Sequence, residues 1–95
     1  MTGRSIDVVK RGGRRPTERF DREKLRLSVQ AACLSVRSPE KHAEDVSGQV
    51  CDIVIVWLGD KTEVTSDDLR RKAAETLDKH HPEAAYIYKH HRLIV

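Results

Sequence analysis

Ninety-five residues make one small domain, whose core leaves little room for an elaborate catalytic cleft. Charged residues are 35% of the chain, apolar ones 38%, and only Phe20, Trp57, Tyr86 and Tyr88 are aromatic, so the composition points to a helical, water-soluble protein without a base-stacking platform. The formal charge is +3, yet residues 8–25 (VVKRGGRRPTERFDREKL) alone hold seven Lys/Arg against three Asp/Glu, a net +4, which makes this stretch a plausible seat for phosphate, whether of a nucleotide or of a nucleic-acid backbone.

In chain order, residues 6–10 (IDVVK) are rich in β-branched side chains and read as a strand. Gly12-Gly13 tolerates positive φ and Pro16 cannot donate into a ladder, so a turn of several residues follows, and residues 17–20 return as the partner strand. The strand period of two puts Val9 and Arg11 on one face and Val8 and Lys10 on the other. Asp21 is a good helix N-cap with Glu23 in the first turn, and Leu25, Val29, Ala32, Cys33 and Val36 form one apolar stripe. Ser38-Pro39-Glu40 is a second start signal, Ser38 as the cap and Pro39 at the first helical position. From there Ala43, Val46, Val50, Ile53, Val54 and Trp57 keep helical spacing until Gly59-Asp60. The VCDIVIVWL segment is β-branched enough for a strand, but the stripe before it decides for helix.

Residues 61–64 are a short extended link, placed to add a third strand. Thr65-Ser66-Asp67-Asp68 is a third capping cluster, opening a helix with Leu69, Ala73, Thr76 and Leu77 on its apolar face and an end near His80. Pro82 starts a fourth helix carrying Ala85, Ile87, Tyr88, His91 and Ile94. The expected fold is α+β and mostly helical, a single domain over residues 1–95 in which a β-hairpin or three-stranded sheet caps a bundle of about four helices.

The longest apolar run, residues 53–58, is about a third of the roughly 20 residues a membrane span needs. The N-terminal residues lack an apolar signal core, so the expected location is the cytoplasm, with no membrane partner. Cys33 and Cys51 each fall in an apolar helical pattern and are expected to be buried, reduced thiols. Adjacent helical residues point about 100° apart, so neither His80-His81 nor His90-His91 suits a single metal, and both pairs read as structural or surface histidines.

This order of signals resembles an ATP-cone domain. The resemblance runs from VVKRGGRR through ERFDREKL, a capping VTS and LDKHHPEAAYIYK, roughly residues 6–89. ATP-cones are allosteric nucleotide-binding modules at the N-terminus of many ribonucleotide reductases and the regulatory half of the repressor of their genes. The chain departs from the family at Gly12, where an aspartate precedes the turn glycine; at Arg14-Arg15-Pro16, which lengthens the hairpin; and at Tyr88-Lys89, where an arginine follows the last tyrosine. The zinc ribbon that precedes the cone in the repressors needs four ligands with paired cysteine spacing, which Cys33 and Cys51 do not have.

The resemblance implies that ATP or dATP, with Mg2+, lies between the hairpin and the helices. Val9, Lys10 and Arg11 match the first-strand motif, a wall for the purine and two cations for the phosphates. Glu18 matches an acceptor for a ribose hydroxyl or the adenine amino group. Asp21 matches a cap that faces the site, and Lys24 a phosphate ligand one turn in. Either Thr65 or Ser66 matches the hydroxyl at the third helix start, and Arg70 follows one turn later. Without the family, Lys10 and Arg11 read as solvated edge-strand charges, Asp21 as a cap alone and Lys24 as a surface lysine. No phosphate-loop, dinucleotide-fold or nucleophile-elbow motif occurs, so the expectation is regulatory binding of adenine nucleotides without catalysis. The signal would pass through a homo-oligomer or a protein partner related to ribonucleotide reduction, the repressor likeness adding a link to transcription regulation. The alternative is a small nucleic-acid-binding domain that uses the arginine-rich hairpin on phosphates.

Overall fold

A computed structural model describes residues 6–9 and 18–91. Lys10, Arg11 and the expected glycine turn, together with residues 92–95 and hence Ile94, lie outside the described residues. The elements are β1 (Asp7–Val9), β2 (Glu18–Arg19), α1 (Arg22–Ser35), α2 (Glu40–Leu58), β3 (Glu63–Thr65), α3 (Ser66–His80) and α4 (Pro82–His91). The fold is α+β and mostly helical, as expected.

The three strands form one sheet in the order β2-β1-β3. β2 runs antiparallel to β1, with Val8 opposite Glu18, and the ladder extends to a bond from Phe20 N to Ile6 O at 2.7 Å. β3 is parallel to β1, with Val8 opposite Val64 and Val9 opposite Thr65. A parallel neighbour requires a long crossover, and the α1–α2 pair supplies it. Val8 and Val64 are buried against the helices, while Asp7, Glu63 and Thr65 on the alternate positions are exposed.

α1 packs on α2 and α4, and α3 packs on the same two helices. Small residues at these contacts, Ala32, Ala43, Ala73 and Ala84, are wholly buried beside Val29, Val50, Leu77 and Tyr88. The β-branched end of α2 is helical because Val50, Val54 and Leu58 fall on one buried face, and burial of that face outweighs intrinsic propensity. Gly59 ends the helix at φ 48°, with its N–H bonded to Ile55 O. Both cysteines are free and buried; burial pushes the Cys33 thiol up and the Cys51 thiol up to about 11, so both stay protonated near neutral pH.

The junction between α1 and α2 corrects the expected cap. Ser38 does not cap α2; the N-cap is Pro39, with no side-chain bond. Instead Ser38 N bonds Cys33 O at 3.1 Å and Arg37 N bonds Leu34 O at 3.0 Å, a Schellman end to α1 with Arg37 in the left-handed position at φ 64°. Because the Ser38 backbone closes α1, its hydroxyl is free to turn away and meets His81 Nε2 at 2.6 Å. α3 begins as expected, Thr65 Oγ1 accepting from Asp68 N at 3.0 Å.

Candidate functional site

One cleft collects residues from three elements that the chain order keeps apart. Val8 of β1, Glu18 and Arg19 of β2, Phe20, Asp21, Lys24 and Leu25 at the start of α1, and Leu69 of α3 line it. Its floor is apolar, from Val8, Leu25 and Leu69, and its rim is charged. Lys24 Nζ lies 3.1 Å from Glu18 Oε1, an ion pair across the rim that joins the hairpin to the helix. Both side chains are about half exposed, so the pair contributes little to stability and can exchange its partners.

Asp21 caps α1, accepting from Glu23 N at 3.0 Å and Lys24 N at 3.4 Å. With those amides occupied, an anion in the cleft would be held by side chains more than by the helix end. The other cations of α1 are tied to acids outside the cleft. Arg22 meets Asp52 at 2.8 Å, and that bond raises its already high pKa; Arg26 meets Glu23, whose carboxyl it holds below its ordinary range.

The sequence-derived candidates separate into groups. Glu18, Asp21 and Lys24 share the cleft. Val9 does not line it; the adjacent Val8 does, from the opposite face of β1. Thr65 is exposed, uses its hydroxyl as a cap and lines a different concavity with Trp57 and Lys61, whereas Ser66 is buried. Arg70 lines a third concavity between α3 and α4 with Asp67, Arg71 and Lys89. Its Nη1 is 3.7 Å from Asp67, a long contact, and its Nε is buried with no hydrogen-bond partner among the described residues. A buried N–H left without an acceptor is costly, and an anion would relieve it. Lys10 and Arg11 lie outside the described residues.

Sequence reasoning did not select Phe20, Leu25 or Leu69, which line the cleft. The signal that could have found them was their position next to charged candidates, one residue before Asp21, one after Lys24 and one before Arg70.

The histidines have local roles. His81 meets Ser38 and faces His42 with ring centroids 5.8 Å apart, His80 bonds Thr76 O, and His90 lies against Tyr86. No group of three metal-ligating side chains occurs among the described residues, and no described helix is long and apolar enough to cross a membrane.

Residues 6–93 match the family profile of the ATP cone domain. The chain belongs to the ATP-cone family. The match spans the sheet and all four helices, and with them the cleft. An ATP-cone is a nucleotide-binding regulatory module that takes ATP or dATP. Neither the curated proteins nor the solved structures include a match.

Proposed function

We propose that this ATP-cone is a cytoplasmic sensor of adenine nucleotide that passes its signal through self-association or a protein partner, in a setting related to ribonucleotide reduction or its transcriptional control, and does not hydrolyse what it binds. The observation that carries the reading is the convergence of Glu18, Asp21 and Lys24 on one apolar-floored cleft inside a chain matched almost end to end by the family. Val8, Leu25 and Leu69 are almost wholly buried beneath the cleft, so a purine would take its apolar contact chiefly from the partly exposed Phe20. Glu18 is positioned to accept from a ribose hydroxyl or an exocyclic amino group, and Lys24 would exchange its Glu18 partner for a phosphate of higher charge. The reading also includes Val9, Lys10 and Arg11 on the strand side and Ser66 or Thr65 with Arg70 at the start of α3, although Val9 does not line the cleft, Ser66 is buried, and Thr65 and Arg70 line concavities of their own. Mg2+ would arrive with the phosphates, completing its octahedron with water, since such sites need only one or two protein carboxylates. Regulation then requires that one assembly state bind nucleotide better than another.

Calorimetric titration with ATP, dATP and GTP, beside a short DNA duplex at two salt concentrations, tests the reading. Saturable binding of the adenine nucleotides, weakened about tenfold or more in Lys24→Ala, is expected, since a lost charge-assisted bond is worth about 1.5–3 kcal/mol. Equal weak binding to all three nucleotides with strong, salt-sensitive DNA binding would overturn it in favour of the nucleic-acid alternative. Sedimentation with and without ATP reads the assembly step, and phosphate release at enzyme-like rates would refute the absence of catalysis.

A further inference from the structure

The cleft between β2 and the start of α1 is tighter than a nucleotide needs. The space between its walls is about 20 Å³, room for about one water molecule, whereas small-molecule pockets run to roughly 300–1,000 Å³. Val8, Leu25 and Leu69, its apolar floor, are only 3–5% exposed. Across the rim, Glu18 Oε1 and Lys24 Nζ meet at 3.1 Å. The two residues stand on the arms of one corner, β2 and α1, with Phe20 and Asp21 at its vertex. The α1 arm is fixed, because Asp21 caps it through the amides of Glu23 and Lys24. The β2 arm is two residues long and holds to β1 through two residue pairs and the bond from Phe20 N to Ile6 O, so it is the wall that can swing.

We propose that the ion pair of Glu18 and Lys24 is a latch operated by phosphate: it holds the cleft shut against nucleosides, and a nucleotide opens it by taking Lys24 away from Glu18. The proposal rests on the nucleotide reading and adds how that site is regulated. Phosphate oxygens bind an ammonium through the same charge-assisted bond as a carboxylate and bring more negative charge, so a triphosphate competes for Lys24 where adenosine cannot. The phosphates then repel the Glu18 carboxylate, which moves off with β2 and uncovers the apolar floor. The latch is light. Both of its side chains are about half exposed, so the pair shifts the population of open clefts by about two- to fivefold. That is small beside the phosphate bond exchanged for it, so ATP opens the cleft, while adenosine offers Lys24 nothing and meets it latched.

Calorimetric titration of the full chain with adenosine and with ATP, in the wild type, Lys24→Met and Lys24→Arg, tests the latch. Lys24→Met keeps the stem and removes the charge. It should bind adenosine about two- to fivefold more tightly than the wild type and ATP about tenfold more weakly, changes of opposite sign. Lys24→Arg keeps a cation beside Glu18 and should leave adenosine binding at wild-type strength. Added salt screens the pair, so it should strengthen adenosine binding in the wild type and not in Lys24→Met. Lys24 is partly exposed, and equal melting temperatures establish that the variants are folded. Weaker, unchanged or undetectable adenosine binding in Lys24→Met, or a gain in Lys24→Arg equal to that in Lys24→Met, would overturn the latch. With ATP bound by the wild type, such a failure leaves the nucleotide reading standing. A wild type that binds no adenine nucleotide refutes that reading and the latch with it.

Discussion

The buried pair Tyr88 and Ser28 joins α4 to α1, the helix that carries Asp21 and Lys24 into the cleft, and its bonding makes a prediction with a direction. Tyr88 is wholly buried; its hydroxyl lies 3.2 Å from Ser28 Oγ, which donates to Leu25 O at 2.7 Å. Ser28 has one proton and uses it on Leu25, so Tyr88 must be the donor of the shared bond. Tyr88→Phe therefore removes a donor and leaves an acceptor whose own proton is still placed, a loss of about 1 kcal/mol. Ser28→Ala instead strands the Tyr88 hydroxyl as a buried donor, at about 1–3 kcal/mol, and also loses the Leu25 bond; the better helix propensity of alanine returns about 0.5 kcal/mol. The serine substitution should cost about twice as much as the tyrosine one. The double variant should cost less than their sum, because two apolar groups leave nothing unsatisfied. Urea and thermal unfolding measure this, each kilocalorie moving the midpoint by about 4–8 °C at this size. A larger loss in Tyr88→Phe, or strictly additive losses, would refute the assigned donor direction.

Two left-handed positions give opposite expectations in thermal unfolding: Arg37→Gly should stabilise by about 1 kcal/mol, and Gly59→Ala should destabilise by about 1–2 kcal/mol, because only glycine adopts those angles without strain. Thr65→Ala should cost about 1 kcal/mol by releasing the Asp68 amide, and Thr65→Ser should restore most of it. Burial holds the Cys51 thiol protonated up to about pH 11, against an ordinary value of 9.0. The folded state thus keeps a proton that the unfolded chain has lost, so the contribution is full below about pH 9 and disappears as pH rises toward 11, about 3 kcal/mol across the window. Unfolding in urea at stepped alkaline pH should show this fall, and Cys51→Ala should flatten it.

Where local chemistry and tertiary contacts agree, the chain reads correctly from its letters. The Asp21 and Thr65 caps, the Gly59 stop and the Pro82 start are each set by residues within a few positions of the feature. The α1–α2 junction escaped because Arg37 supplies the left-handed residue without being glycine or asparagine, so the Schellman end carries no local mark. Ser38 next to Pro39 then has the look of a cap, and only the arrival of His81 from 43 residues away shows what its hydroxyl does.

The cleft shows why charged candidates were easier to find than its walls. Glu18 and Lys24 are six residues apart and meet because a strand turns directly into a helix, a geometry that Asp21 as cap already implies. The choice between Val8 and Val9 has no such local sign. Both are β-branched and adjacent, and a one-residue slip in register exchanges their faces. What decides is the pairing of Val8 with Val64, two apolar side chains that both need the core, across a parallel ladder closed by the whole α1–α2 crossover. The apolar wall of the cleft is therefore a product of the helices packing beneath the sheet. A substitution that weakens that packing, such as Val64→Ala, should loosen the cleft floor without touching any charged residue on its rim.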